Sequence, residues 1–197
     1  SVCHELFTDA APGADIAPLT EMLPEALIDR GLALREPDGW SFVHGMLVES
    51  LQRYAEEGGR WAEHNRLAAG AIERLYSDRR DAQARRRAEY LLEAGELEAA
   101  LEPLLAASRR ARSRGDFAAV DRLLERRTGV MNELDLAEDA RERVENAVGE
   151  AWVAMYAGEL DKARALGERI EEIARKSEWS HEIGDAHDEC RLVHHVR

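Results

Sequence analysis

Positive charge is what this sequence is short of. Its 197 residues carry 40 Asp and Glu against 27 Lys and Arg, a formal net charge of −13 at pH 7. Phosphate affinity needs an excess of Lys and Arg, so this balance argues against a general nucleic-acid binder. Lysine is scarcer still: Lys162 and Lys176 are the only two, and arginine supplies the rest, a skew typical of GC-rich coding. Cysteine is nearly missing. Cys3 and Cys190 sit near opposite ends with no spacing pattern, which excludes a disulfide framework and fits a reducing compartment. No apolar run approaches the roughly 20 residues of a membrane span, and no basic stretch leads into a signal-peptide-like apolar one. A cytoplasmic location is therefore expected. The chain opens at Ser1 rather than Met, as expected of a piece of a longer protein or a processed product. Several catalytic signatures are missing as well. There is no Gly-x-x-x-x-Gly-Lys-Ser/Thr phosphate loop, no Gly-x-Ser-x-Gly nucleophile elbow and no kinase motif set. Carboxylates abound, but ion pairs on helix faces account for them. The expectation is a chain that is no enzyme and carries no cofactor.

What is present is enough apolar sequence for a core, 45% of residues, distributed unevenly. Four of the five prolines precede residue 56, and only Pro103 follows it. The stretch Glu56-Glu57-Gly58-Gly59 is the natural joint, because paired glycines interrupt a helix at about 1 kcal/mol each. Two domains are expected, residues 1–56 and 57–197.

In the first, Val2–Thr8 reads as a short helix, Asp9–Asp15 as a loop and Ile16–Leu23 as a short apolar segment. Pro24 suits the first turn of a new helix over Glu25–Arg30, which Gly31 ends. Leu32–Arg35 and Trp40–Val43, joined by Glu36-Pro37-Asp38-Gly39, read as a β-hairpin. A helical period returns from about His44 to Ala55, with Met46, Leu47, Ser50, Leu51 and Tyr54 on one face.

The second domain reads as successive helices. Trp61, His64, Ala68, Ala71, Ile72 and Leu75 form an apolar stripe. A helix over Arg85–Ala94, a longer one ending at Arg114 and a pattern over Ala137–Ala157 follow. One turn recurs three times: Gly95-Glu96-Leu97 with Ala100, Gly115-Asp116-Phe117 with Val120, and Gly158-Glu159-Leu160 with Ala163. Its chemistry is coherent. Glycine ends one helix in a left-handed conformation, and the acid faces the positive end of the next. The apolar residue should plug the gap between the two helices, and the small residue lets them approach.

This turn resembles that of the tetratricopeptide repeat. The likeness covers roughly residues 80–197. It extends to Ala88, Leu91, Leu104 and Ala107 around Gly95, and to Ala151, Trp152, Gly167 and Ile170 around Gly158. The turns are spaced by 20 and 43 residues rather than by multiples of the ~34 of strict copies. The resemblance therefore implies irregular antiparallel hairpins in a right-handed α-superhelix. The run Trp40-Ser41-Phe42-Val43-His44, with Glu49 beyond it, is similar to the end of the winged-helix domain of STAND-type (NACHT-like and AP-ATPase-like) signalling ATPases. Comparable regions follow the kinase domain of some bacterial Ser/Thr kinases. The resemblance implies a mainly α chain, a small winged-helix module and then TPR-like repeats, with an upstream ATPase or kinase domain as neighbour. It also implies that His44 senses a nucleotide's phosphates in the full-length family context.

Candidate sites follow. Twelve arginines lie between residues 79 and 127 against nine acids. They read as solvated faces with i,i+4 ion pairs, or as an anionic docking groove in which Arg86 and Arg110 bind a protein or peptide partner. His187, Cys190 and His194 fall roughly on one face of a C-terminal helix, a pattern that suits zinc, although a closed site needs a fourth ligand; no metal site is assigned. The expected function is that of a non-catalytic regulatory and protein-interaction region of a multidomain bacterial signalling protein. The alternative is a DNA-binding transcriptional regulator reading a groove through Pro24–Arg30. Residues 1–60 hold four Arg and eleven acids, which opposes it.

Overall fold

The structure is a computed structural model that describes residues 17–36 and 39–176. Among these residues the chain is mainly helical, with one small antiparallel hairpin. The elements run α1 (Ala17–Asp29), β1 (Ala33–Glu36), β2 (Gly39–Phe42), α2 (Gly45–Glu57), α3 (Trp61–Leu75), a 3₁₀ turn (Ser77–Arg79), α4 (Arg80–Glu93), α5 (Leu97–Ser113), α6 (Phe117–Glu133), α7 (Arg141–Ala157) and α8 (Leu160–Lys176). None of the helices among the described residues is long and apolar enough to cross a membrane. The described residues up to Arg80, with Glu89–Glu96, form one compact unit; Asp81–Ala88 and the residues from Leu97 onward form the other.

In the first unit, α1 corrects the sequence reading around Pro24. That proline lies inside one continuous helix instead of opening a new one. A proline there removes the bond from its own position to the carbonyl of Thr20, and the helix carries through regardless. The expected helix over Val2–Thr8 and the loop after it lie outside the described residues, as do Pro37 and Asp38 of the hairpin turn. The hairpin itself pairs Ala33 with Phe42, Leu34 with Ser41, Arg35 with Trp40 and Glu36 with Gly39. Trp40 and Phe42 meet edge to face, ring centres 5.1 Å apart. α2 ends where the glycine pair predicts. Gly59 is left-handed (φ 64°), and the Arg60 N–H donates to the Ala55 carbonyl at 2.8 Å.

The core of this unit lies on α3, where Ala68, Ala69, Ala71 and Ile72 are buried. His64, expected in that stripe, is exposed. Two cross-links tie α3 to the end of α4: Trp61 Nε1 donates to Glu93 Oε2 at 2.9 Å, and Arg66 Nε to Glu96 Oε1 at 2.8 Å. The apolar face of α2 is poorly covered. Only Ala55 of that helix is buried, while Met46, Leu51 and Tyr54 are exposed.

In the second unit, α5, α6, α7 and α8 are each 17 residues long. Successive helices pack against each other. α6 and α7 are antiparallel: the paired residues run in opposite order, Leu124 against Gly149, Thr128 against Asn146 and Met131 against Arg143. α7 starts at Arg141 and not at Ala137. Asp135, left-handed at φ 52°, ends α6, and a short loop intervenes. The small residues of the recurring turn are buried as its chemistry demands: Ala100, Val120 and Ala163 are at most 1% exposed. The turn glycines have φ of 73°, 72° and 79°. Each turn closes with the same bond pair, for example Gly158 N–H to Met155 O at 3.2 Å and Glu159 N–H to Ala154 O at 2.8 Å. This pair satisfies carbonyls that a helix end leaves orphaned.

Candidate functional site

The third residue of the turn departs from expectation, and the departure marks a surface. It should plug the gap between helices. Phe117 and Leu160, however, are 40% and 46% exposed. Phe117 is placed by the cap just before it: Asp116 Oδ1 accepts the Ala119 N–H at 3.0 Å, fixing the start of α6. From there its ring turns sideways onto α7.

Trp152 and Tyr156 stand one helical turn apart on α7, so their rings share a face. The ring centres of Phe117 and Trp152 are 5.2 Å apart with the planes 20° from parallel. Tyr156 completes the triangle, 5.1 Å from Phe117 and 4.4 Å from Trp152. Tyr156 is 59% exposed, and Trp152 is half-buried. The Arg112 guanidinium at the end of α5 lies over the Trp152 ring, 5.6 Å from its centre, within the range of a cation–π attraction. Three helices thus contribute to one patch of aromatic rings with a cationic edge.

Three more arginines lie close in sequence to Arg112. Arg109, Arg110 and Arg114 belong to the same helix end, and no carboxylate forms an ion pair with any of them among the described residues. A helix C-terminus favours such cations through its dipole, but no side-chain partner neutralises them. Of the acids in the Gly115 and Gly158 turns, Asp116 is the α6 cap and Glu159 pairs with Lys162 at 3.4 Å, while Asp161 is exposed beside Leu160.

Arg110 is half-buried on α5, two residues before Arg112 and so on another face of that helix; the structure does not bring it to the ring cluster. Arg86 is exposed on α4 and engaged with a neighbouring group. His44 sits at the strand-to-helix junction, as its position between Phe42 and Met46 implies. It is the residue before α2, its side chain is exposed and makes no capping bond, and its carbonyl accepts the Leu47 N–H at 3.0 Å. Phe42 is half-buried and Glu49 exposed. His187, Cys190 and His194 lie outside the described residues; among the described ones no three His, Cys, Asp or Glu are grouped to hold a metal.

Sequence reasoning missed the ring cluster because Trp152 reads as a packing residue. A signal was nonetheless present. The buried stripe of α7 is Val144, Val148 and Ala151, with Ala154 beside it, and Trp152 and Tyr156 fall off that stripe at their own i,i+4 spacing.

A second concavity lies between α6, α7 and α8. It is a cleft of about 120 Å³ whose lining includes Thr128, Arg143, Asn146, Glu150 and Ile170. Asn146, 2% exposed, donates from Nδ2 to Thr128 Oγ1 at 2.9 Å and to Glu150 Oε1 at 2.8 Å, while its Oδ1 has no partner. Oδ1 is shut off from solvent, so the amide braces two helices and offers the cleft no acceptor.

A scan against protein-family models finds none that matches this chain, and searches of the curated proteins and of the solved structures return no match.

Proposed function

We propose that this chain is a non-catalytic, protein-interaction region of a larger bacterial signalling protein, with TPR-like hairpins as its binding scaffold. The observation that carries the reading is the exposed Phe117–Trp152–Tyr156 cluster edged by Arg112. Trp, Tyr and Arg dominate the energetics of protein interfaces, because each supplies large contact area at modest entropy cost. Exposed clusters of this kind mark binding surfaces more often than isolated apolar residues do.

The glycine turns and their fully buried small residues support TPR-like pairing of α5 with α6 and of α7 with α8. The hairpin followed by α2 supports a winged-helix-like module. On this reading the bare face of α2, with Met46, Leu51 and Tyr54, packs against an upstream ATPase or kinase domain of the parent protein. His44, exposed at the head of α2, then reaches toward the phosphates of a nucleotide held there. The acidic balance of residues 1–60 works against a role in reading DNA.

The test is selection of a random peptide library, displayed on phage, against the immobilised 197-residue chain. Enriched peptides that lose binding to the Trp152→Ala and Phe117→Ser chains, both checked for unchanged helicity, support the proposal. Failure of any sequence to enrich over the bare support overturns it.

A further inference from the structure

From the cleft between α6, α7 and α8 we infer a second binding site, one that takes a small, uncharged, apolar molecule about the size of a single six-membered ring. Phe117, Trp152 and Tyr156 are not among the described residues that line it, so this inference goes beyond the peptide-binding reading and stands or falls apart from it.

Three observations combine. The first is the wall. Met131 of α6, Val144 and Ala147 of α7, and Leu166, Ile170 and Ile173 of α8 line the cleft. Val144 and Ile170 belong to a buried cluster against which Ala147 and Ile173 pack. The wall is therefore held by the core and needs no occupant to form.

The second is that the polar lining is already engaged. Glu138 pairs with Arg169. Arg143 donates from Nε to the Leu136 carbonyl at 3.0 Å and from Nη2 to the Met131 carbonyl at 3.5 Å. Thr128 and Glu150 each accept a bond from Asn146 Nδ2, and Oδ1 of that amide is shut off from solvent. Among the described lining residues two carboxylates face two guanidiniums, so their charges cancel. A charged occupant would lose its hydration against a lining with no net opposite charge to replace it. An apolar occupant breaks none of these contacts.

The third is size. The cleft measures about 120 Å³, the liquid volume of about four waters. Waters held there would each need two to four polar partners, and the lining has its own committed elsewhere. An apolar cavity of about 150 Å³ accommodates benzene. A lone ring or a short branched aliphatic chain thus matches the space, whereas a ring carried on a peptide backbone exceeds it. Such a molecule touches three helices at once. It binds the packed stack and not the unfolded chain, and so fastens α7 and α8 to α6.

The experiment uses the intact chain with isotope-labelled Ile and Leu methyl groups, followed by NMR. Toluene is the first probe. Benzylammonium and benzoate are its charged counterparts, and N-acetylphenylalanine amide carries the same ring on a backbone. Toluene is expected to shift the methyl signals of Leu166, Ile170 and Ile173 saturably and to raise the thermal midpoint. The other three are expected to bind about tenfold or more weakly. Ala147→Leu and Ile173→Phe narrow the cleft from α7 and from α8; whichever keeps the helicity of the parent should weaken toluene about tenfold. The inference is overturned if toluene gives no saturable shift at these methyls, or if a charged probe or the amide binds as tightly. It is also overturned if a folded narrowing variant keeps the affinity of the parent. None of these outcomes alters peptide capture at Phe117 and Trp152, so the two readings fail separately.

Discussion

Arg127 and Glu145 meet at 3.1 Å between α6 and α7, with the arginine only 1% exposed. The remaining donors of that guanidinium reach backbone. Nε donates to the Leu101 carbonyl of α5 at 3.0 Å, and Nη1 to the Glu142 carbonyl at the start of α7 at 2.6 Å. One side chain therefore joins three helices. Burial pulls its pKa below the usual arginine value, and Glu145 opposes that pull. It stays charged throughout the accessible pH range.

Removing one member of a buried ion pair strands the groups it satisfied. Arg127→Met is expected to cost about 3 kcal/mol, and Arg127→Lys nearly as much, because an ammonium cannot span the three acceptors. Glu145→Gln is expected to cost only about 1 kcal/mol, since a hydrogen bond to Arg127 survives. Urea unfolding followed by circular dichroism measures all three. A Lys variant as stable as the parent would show that charge alone, not the fork, holds the helices.

The turns make a second prediction. At Gly158 a Cβ would meet nothing within 4 Å, yet φ is 79°, so only backbone strain opposes a side chain. Gly158→Ala should destabilise by about 1–2 kcal/mol. Asp135 already bears that strain at φ 52°, and Asp135→Gly should relieve up to about 1 kcal/mol of it, less the flexibility that glycine adds to the unfolded chain. Thermal unfolding of Gly158→Ala should fall clearly below that of the parent, and Asp135→Gly should stay near it; equal losses in the two variants would mean that the left-handed backbone is not what opposes a side chain at Gly158.

These two turns also show which parts of the fold can be read from sequence. Where the chain reverses at Gly95, Gly115 and Gly158, the whole device is local: a glycine, an acid and a small residue within six positions. At Asp135 the same reversal uses a residue other than glycine, one that the left-handed region tolerates but does not require, and nothing in the pattern announces it. Pro24 misleads in the other direction, because a proline can sit inside a helix when the helix survives the loss of one bond. Arg127 looks like any arginine on a polar face. Its acceptors on Leu101 and Glu142 are 26 and 15 residues away and mostly backbone, so no sequence period reveals them. The ring cluster was hidden for a related reason: an aromatic that covers another aromatic on the surface has the same hydrophobic signature as one in the core. Arg112 was legible as a cation, but the ring beneath it was not.

Gly149 and Gly129 separate helix propensity from packing. Both lie inside helices. A Cβ at Gly129 would meet nothing within 4 Å, while one at Gly149 would come within 2.9 Å of Leu124 Cδ1. Leu124 is itself buried, so it has little room to yield. Gly129→Ala should stabilise by about 0.5–1 kcal/mol through helix propensity alone. At Gly149 the same gain is offset by overpacking worth about 1–3 kcal/mol, leaving a net loss. Equal gains in urea unfolding would show that α6 and α7 pack less closely at this point than Leu124 indicates.

The last turn of α8 carries a pH-dependent contact whose sign can be worked out. Lys176 Nζ donates to Glu172 Oε1 at 2.8 Å, one helical turn away. That hydrogen bond first, then the charge of Lys176 and of Arg175, holds the Glu172 carboxyl below its ordinary pKa. A carboxylate depressed in the folded state contributes its stability fully above the unfolded pKa and loses it as pH falls through the folded one. Both side chains are mostly exposed, so the effect is confined to the helix end and weakens with salt. NMR titration of the side-chain carboxyl carbon should place Glu172 below the ordinary glutamate value at low ionic strength. In Lys176→Ala its midpoint should rise toward the ordinary value, with Arg175 retaining part of the shift, and the end of α8 should be less stable at neutral pH but lose less on acidification than in the parent. An unchanged midpoint in that variant would assign the depression to something other than the Lys176 contact.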